Sequence, residues 1–288
     1  MSFVWFWGQS LRAADASHSE QIKWGNESVF NEDHNTLGLF SGVLGGQIVL
    51  AGGTSDDYSR WGRNAVCLSE NAGFALYEDV LSKPLAYGAS ITLSDGILCI
   101  GGRDSSQCYK DVFLVTMQQG KLNVSEDWPP LPFPLSNAAG ALLDNKVYLF
   151  GGRKSVSPSR LSDSFFVLDL SNKSRGWKEL PGYPGSVRED AILVVQNNGV
   201  SPCLYLLGGQ TETEEGLSSC LTDGYVYNPQ LGRWSPLGLD FPKGICAAVA
   251  SGANHILLFQ KEPEDTQHLK KREYFMEISY NYADSCQV

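Results

Sequence analysis

No apolar run in this chain approaches the roughly eighteen residues that a membrane-spanning helix needs. No Cys-x-x-Cys pair occurs among the seven cysteines at 67, 99, 108, 203, 220, 246 and 286. A structural zinc site or a thioredoxin-type motif is therefore not spelled out. The four histidines, His18, His34, His255 and His268, show neither His-x-His nor His-Glu-x-x-His spacing, so no metal is expected. The chain also lacks a Gly-x-Ser-x-Gly elbow and the glycine loops that cradle nucleotides, and no organic cofactor is expected. Basic residues are outnumbered, 22 against 32, for a net charge of −10. That balance argues against nucleic acid, whose phosphates need a basic face. It leaves room for a locally basic pore and an anionic small ligand.

What the chain does have is a repeat. Asn145-Lys-Val-Tyr-Leu-Phe-Gly-Gly152 reads as a short buried strand ended by two glycines. Paired glycines suit a strand end where φ turns positive or another backbone passes close by. The same shape occurs as Gln47-Ile-Val-Leu-Ala-Gly-Gly53, Gly96-Ile-Leu-Cys-Ile-Gly-Gly102 and Cys203-Leu-Tyr-Leu-Leu-Gly-Gly209. A fifth copy, His255-Ile-Leu-Leu-Phe-Gln260, keeps the apolar run without the glycines. The first glycines stand at 52, 101, 151 and 208, a spacing near fifty. A Gly-Gly strand at that period is the kelch signature, each copy one four-stranded propeller blade. The fold class expected is an all-β kelch β-propeller, with five recognisable blades of a six-blade plan.

The expected organisation follows from those copies. Residues 1–20 read as a leader or disordered tail, apolar at Met1–Trp7 and followed by small residues, but short for an export signal. Residues 21–288 form the propeller. Residues 21–26 supply a closing strand, and the blades cover about 37–84, 85–130, 135–180, 188–240 and 244–288. Blades three and four carry the fullest pattern, with Trp177 and Trp234 closing them; such rings are expected to fill wedge-shaped gaps between sheets. Cys99 and Cys203 fall in or beside apolar runs and read as small core residues, while Cys108 and Cys220 fall in loops.

Function on a propeller is sought where loops gather at the channel mouth. Two sets of positions point there: Thr54, Arg103, Arg153 and Gln210 just after Gly-Gly, and Thr36, Tyr87, Asn137, Arg188 and Gly244 before each inner strand. The three arginines would make a positive patch that grips carboxylates bidentately. The alternative is that Asp104, Asp163 or Glu189 neutralises them. The neighbouring carboxylates Asp56-Asp57 and Glu214-Glu215 read as solvated loop faces rather than an acid/base pair.

The wording of the blades goes further than their period. Leu85-Ala-Tyr-Gly-Ala-Ser90, Cys99-Ile-Gly-Gly102, Asp111-Val-Phe-Leu114 and Leu131-Pro-Phe-Pro-Leu-Ser-Asn137 resemble the cyclically permuted mutarotase family of kelch propellers. Val187-Arg-Glu-Asp-Ala191 resembles that family's Pro-Arg-(Asp/Ser)-Gln-Ala turn, with Arg188 on its arginine. The resemblance runs from about residue 37 to 259. It implies interconversion of the anomers of sialic acid (N-acetylneuraminate), without metal or organic cofactor, in a periplasmic or secreted setting; a cytoplasmic one is the alternative.

One departure bears on chemistry. The family carries its presumed catalytic carboxylate and arginine in an Asn-Gly-Glu-x5-Arg stretch of a sixth blade, and the 288 residues contain no Asn-Gly-Glu. No catalytic residue is assigned. The substrate-binding set is Arg103, Arg153, Arg188, Tyr87, Asn137 and Gln210, with a small anionic sugar as ligand. The rival reading is a non-catalytic kelch module that binds a glycan or a protein partner.

Overall fold

The structure, a computed structural model, describes residues 9–15, 37–69, 73–213, 215–260 and 272–280, and for 9–15, 260 and 272–280 the backbone alone. The fold is an all-β kelch β-propeller built of four-stranded antiparallel sheets. It divides into two compact units, residues 28–182 with 187–189, and residues 1–27 and 183–186 with 190–288. The first strand of the chain, β1 (Gln9–Asp15), belongs to the second of these units.

The larger unit holds three blades. The first is β2 (Phe40–Leu44), β3 (Gln47–Ala51), β4 (Ala65–Ser69) and β5 (Gly73–Tyr77), paired in that order. The second is β6 (Ala89–Thr92), β7 (Ile97–Ile100), β8 (Val112–Gln118) and β9 (Lys121–Ser125). The third begins with β10 (Ala139–Leu143) and β11 (Lys146–Phe150). It then adds a small hairpin, β12 (Arg153–Ser155) with β13 (Arg160–Leu161), before β14 (Phe165–Asp169) and β15 (Lys178–Leu180) complete the sheet.

The glycine pairs are explained by how closely one blade's backbone approaches the next. Gly101 has φ +63°, and a Cβ placed there would lie 2.2 Å from the carbonyl oxygen of Leu135. Gly102 donates its amide to that same carbonyl at 2.8 Å. Gly53 treats Leu85 in the same way, and Gly152 treats Arg188, each at 2.9 Å. The pair therefore forms the seam between consecutive blades, a place where a side chain would collide. A second seam runs through the turns before the inner strands: Tyr87 donates its amide to Gly38, and Asn137 to Tyr87, each at 2.7 Å. These turn residues have positive φ, +59° at Tyr87 and +55° at Asn137.

Burial follows the period-two alternation of strands. One face of the second blade, with Ile97, Cys99, Phe113 and Val115, packs on Phe40, Val49, Ala51 and Ala65 of the first. The same face of the third, with Val147, Leu149, Phe166 and Leu168, packs on Ile91, Leu98, Ile100 and Leu114 of the second. Each fully buried large side chain contributes about 1.5–3 kcal/mol. Trp177 lies against this core and donates Nε1–H to the carbonyl of Pro129 at 3.0 Å. The equivalent face of the first blade differs. Ile48, Leu68 and Phe74 line up across β3, β4 and β5. Yet Ile48 is 49% and Phe74 58% exposed, where Ile97 in the next blade is 2% exposed.

The smaller unit holds the fourth blade, β16 (Ile192–Asn197), β17 (Pro202–Leu207), β20 (Gly224–Asn228) and β21 (Arg233–Pro236), with a hairpin of β18 (Gln210–Glu212) and β19 (Ser218–Cys220). Trp234 packs on Tyr183 and Tyr227, centroids 6.0 and 5.1 Å away, Tyr227 being its cross-strand partner within the same sheet rather than a residue of a neighbouring one. The last sheet is β22 (Ile245–Ser251), β23 (His255–Gln260), β24 (Arg272–Tyr280) and then β1. An N-terminal strand thus completes the last sheet, running antiparallel to β24 from Gln9 opposite Tyr280 to Asp15 opposite Tyr274. That strand comes from the stretch read as leader; the closing strand expected at 21–26 lies outside the described residues. No helix among the described residues is long and apolar enough to cross a membrane.

Candidate functional site

The loop after the first Gly-Gly is tied to itself. Ser55 and Arg60 are joined through the Ser55 amide and the Arg60 carbonyl at 2.9 Å, and the Arg60 amide returns to Ser55 Oγ at 3.0 Å. Thr54, fully buried, donates Oγ1–H to the Arg60 carbonyl at 2.7 Å. At the loop's centre Asp57 accepts from Ser55 Oγ at 2.5 Å, the Ser59 amide at 3.0 Å and Ser59 Oγ at 2.8 Å. Those donors hold its carboxyl at about 2, well below the usual 3.8. Asp57 thus fastens its own loop, and both Asp56 and Asp57 are exposed; Glu214 lies outside the described residues.

This loop carries two aromatic rings onto the next blade. Tyr58 stacks beside Tyr87, centroids 6.5 Å apart and planes 18° apart. Trp61 leans on Tyr87 at 6.3 Å and donates Nε1–H to the Tyr58 carbonyl at 3.1 Å. Arg103 lies over both rings: its Cζ is 4.6 Å from the Tyr87 centroid and 5.1 Å from that of Trp61. Arg103, Tyr87 and Trp61 are half-buried, and cation–π contacts at such sites are worth about 0.5–2 kcal/mol. The guanidinium also donates Nη1–H to the carbonyl of Asp104 at 3.4 Å. Among the described residues it has no carboxylate at ion-pair distance.

Asp104, beside it in sequence, is engaged elsewhere. Burial works to raise its carboxyl, but hydrogen bonds from Tyr109 Oη (2.5 Å), Ser106 and Gln107 outweigh that and hold it at about 2. Arg153 is engaged too. Its Nε donates to Glu189 Oε2 at 2.8 Å, its Nη2 to Glu189 Oε1, and its Nη1 to Ser159 Oγ. Cys108 lies between these arginines, its thiol 3.5 Å from Ser136 Oγ. Burial pushes that thiol up, against the lowering effects of Ser136, Arg103 and Arg153.

Four of the six expected binding residues lie half-buried in the larger unit: Tyr87 and Asn137 in equivalent turns before inner strands, and Arg103 and Arg153 just after Gly-Gly, bridged to Ala86 and Ser136 beside those turns. Arg188 does not share their position. Its carbonyl receives Gly152, as those of Leu85 and Leu135 receive Gly53 and Gly102, so it stands two residues before the turn position held by Tyr87 and Asn137. Asp190, with φ +52°, holds the positive-φ position in that blade, and Gly38 in the first. Arg188 is 0% exposed, a guanidinium where the two preceding blades bury leucine. Thr36 lies outside the described residues. Gln210 belongs to the smaller unit, opposite Cys220 in the β18–β19 hairpin, and accepts from Ser218 Oγ at 2.6 Å. Sequence reasoning missed Tyr58 and Trp61; two rings three residues apart in an otherwise polar loop were the available signal.

The sheets and their Gly-Gly seams define a kelch β-propeller. Among kelch proteins the likeness is to N-acetylneuraminate epimerase: that family's model matches residues 128–264. The N-acetylneuraminate epimerase of Yersinia pestis (strain Pestoides F) is 30% identical over 139 residues, 46% of this chain and 33% of the relative. That of Haemophilus influenzae (strain PittEE) is 31% identical over 131 residues, 46% of this chain and 32% of the relative. A "Kelch domain-containing protein" of Vibrio cholerae is 30% identical over 141 residues, 48% and 36% of the two chains. The chain spans about a third of the length of these curated relatives. A solved structure titled "Structure of YjhT" superposes with a TM-score of 0.67 at 13% identity, covering 96% of this chain and 90% of that one, and shares the fold. Together these findings support a kelch family like that of N-acetylneuraminate epimerase. The family match contains Asn137, Arg153, Arg188 and Gln210 and leaves out Tyr87 and Arg103.

Proposed function

We propose that the turns of the first three blades bind an anionic sugar, N-acetylneuraminate in the first instance, and that the protein acts as a mutarotase-like epimerase on its anomers. The observation that carries the binding part is Arg103: a guanidinium held over two rings, with its charge unmatched by any carboxylate among the described residues. The rings hold the guanidinium without supplying it an acceptor, and apart from the Nη1–H bond to the Asp104 carbonyl its N–H groups are the kind that grip a carboxylate in two parallel bonds. Tyr87 and Asn137 frame the same turns. The family likeness supports the sugar and the reaction class. The periplasmic or secreted setting belongs to the same proposal and is checked by fractionating the source cells.

Anomer exchange needs a proton taken from one oxygen and given to another. Glu189, paired with Arg153, and Asp104, next to Arg103 in sequence, are poorly placed for that work. Glu189 is clamped by Arg153, and Asp104 stays ionised under its hydrogen bonds. These engagements favour the second reading, a non-catalytic kelch module that takes the same ligand. Titration calorimetry with N-acetylneuraminate tests the binding, and Arg103→Ala should weaken it at least tenfold; unchanged affinity removes Arg103 from the role. Proton NMR of anomer exchange separates the readings, since a pure binder leaves the spontaneous rate unaltered.

A further inference from the structure

We propose that Tyr58 and Trp61 form the specificity wall of this site, stacking against the apolar face of a pyranose ring whose carboxylate is held by Arg103. The inference rests on the anionic-sugar reading and names the part of the ligand that reading leaves open. An arginine alone selects a carboxylate and nothing more. The groups that surround its N–H edge decide which carboxylate enters.

Three observations place the two rings in that role. Tyr58 is 51% exposed although it stacks beside Tyr87, so much of its surface faces outward. Trp61 is half-buried and shares the Arg103 guanidinium with Tyr87, which fixes the indole next to the group that would hold the anion. The loop that carries both is pre-formed by the Asp57, Ser55 and Thr54 hydrogen bonds, and the indole N–H is committed to the Tyr58 carbonyl. Its polar handle engaged, Trp61 offers its ring rather than a donor. A rigid, amphipathic aromatic surface binds with little ordering cost. Set beside a carboxylate-gripping edge, it suits a ring acid with one C–H-rich face and disfavours open-chain acids.

The experiment compares N-acetylneuraminate with lactate, a carboxylate without a ring, by NMR chemical-shift titration of wild type and three variants. Tyr58→Ala and Trp61→Ala should each lower N-acetylneuraminate affinity about tenfold and leave lactate affinity within twofold. Arg103→Ala should lose both ligands. If Arg103→Ala loses N-acetylneuraminate while Tyr58→Ala and Trp61→Ala keep it within twofold, the wall is overturned and the anionic-sugar reading stands. If Arg103→Ala keeps both ligands, that reading falls and the wall with it. If Trp61→Ala weakens lactate as much as the sugar, Trp61 only props the arginine and is no wall. Trp61→Phe, which keeps a ring, should recover most of the sugar affinity; failure to do so in a folded protein counts against stacking.

Discussion

Arg153 and Glu189 meet at two points, Nε to Oε2 at 2.8 Å and Nη2 to Oε1, with the side chains only 20% and 10% exposed. The pair fastens the first residue after a Gly-Gly turn to the residue following Arg188, whose carbonyl caps that same turn. Removing the carboxylate leaves a half-buried cation short of its partner. Glu189→Ala should cost about 2–3 kcal/mol, and a double-mutant cycle with Arg153→Ala should return a coupling above about 1 kcal/mol. Additive losses in chemical denaturation would show that the two do not act together.

The charge of Arg153 is matched by Glu189, whereas Arg103 is held by two aromatic rings and the Asp104 carbonyl, with no carboxylate at ion-pair distance among the described residues. Arg103→Lys keeps the charge but loses the planar fork and the stacking. It should weaken N-acetylneuraminate by several-fold to tenfold, with little change in melting temperature. Arg153→Lys should do the reverse, lowering stability more than affinity. Calorimetry and thermal melts on the two variants check the contrast.

The seam at Gly101 tolerates no side chain. Its Cβ would lie 2.2 Å from a backbone carbonyl that cannot swing aside, at a φ that L-residues resist. Gly101→Ala should destabilise by roughly 2–4 kcal/mol. Gly120→Ala, also at positive φ but with nothing within 4 Å of the added Cβ, should cost less, about 1 kcal/mol. Urea midpoints measure both.

Asp57 and Asp104 both have folded-state carboxyls near 2, below the usual 3.8. A depressed carboxyl adds stability that is complete above the unfolded value and is lost as pH falls through the folded one. Local protection of the two loops should therefore fade between about pH 4 and pH 2. Hydrogen exchange at Ser59, Ser106 and Gln107, whose amides donate to these carboxylates, should rise over that window, and Asp57→Asn should flatten the change at Ser59.

Cysteine chemistry should sort by burial. Cys99 is fully buried and its thiol is pushed far up by that burial, and Cys67 and Cys203 are raised for the same reason. Cys220 and Cys246 are exposed. Brief alkylation of the native protein at pH 8, read by peptide mass spectrometry, should label Cys220 and Cys246 and spare the other three. Labelling of Cys99 at a comparable rate would contradict the packing of the second blade.

The sheets were legible in the sequence because a Gly-Gly pair needs a specific backbone event, and the event recurs at Gly52, Gly101 and Gly151. The turn positions were legible in part. Tyr87 and Asn137 do occupy equivalent positions, but Arg188 was read two residues out of register, because the turn residue at Asp190 carries no distinguishing side chain. The pairing of Arg153 with Glu189 was among the alternatives weighed, and only distance could choose it. The rings of Tyr58 and Trp61 were hidden for a different reason: both meet Tyr87 on the next blade, and Trp61 also meets Arg103, and single-sequence patterns do not record contacts between blades.

The exposed side of the first sheet has a consequence for handling the protein. Val43 and Ile48, a cross-strand pair, and Leu76 on the outer strand present hydrocarbon to water over a surface whose counterpart in the next blade is sealed. Wetted hydrocarbon on a flat, pleated surface is where molecules first adhere as concentration rises. Turbidity and light scattering should therefore respond to Ile48→Lys or Leu76→Lys, which would extend the soluble range while leaving the carboxylate binding proposed for Arg103 untouched.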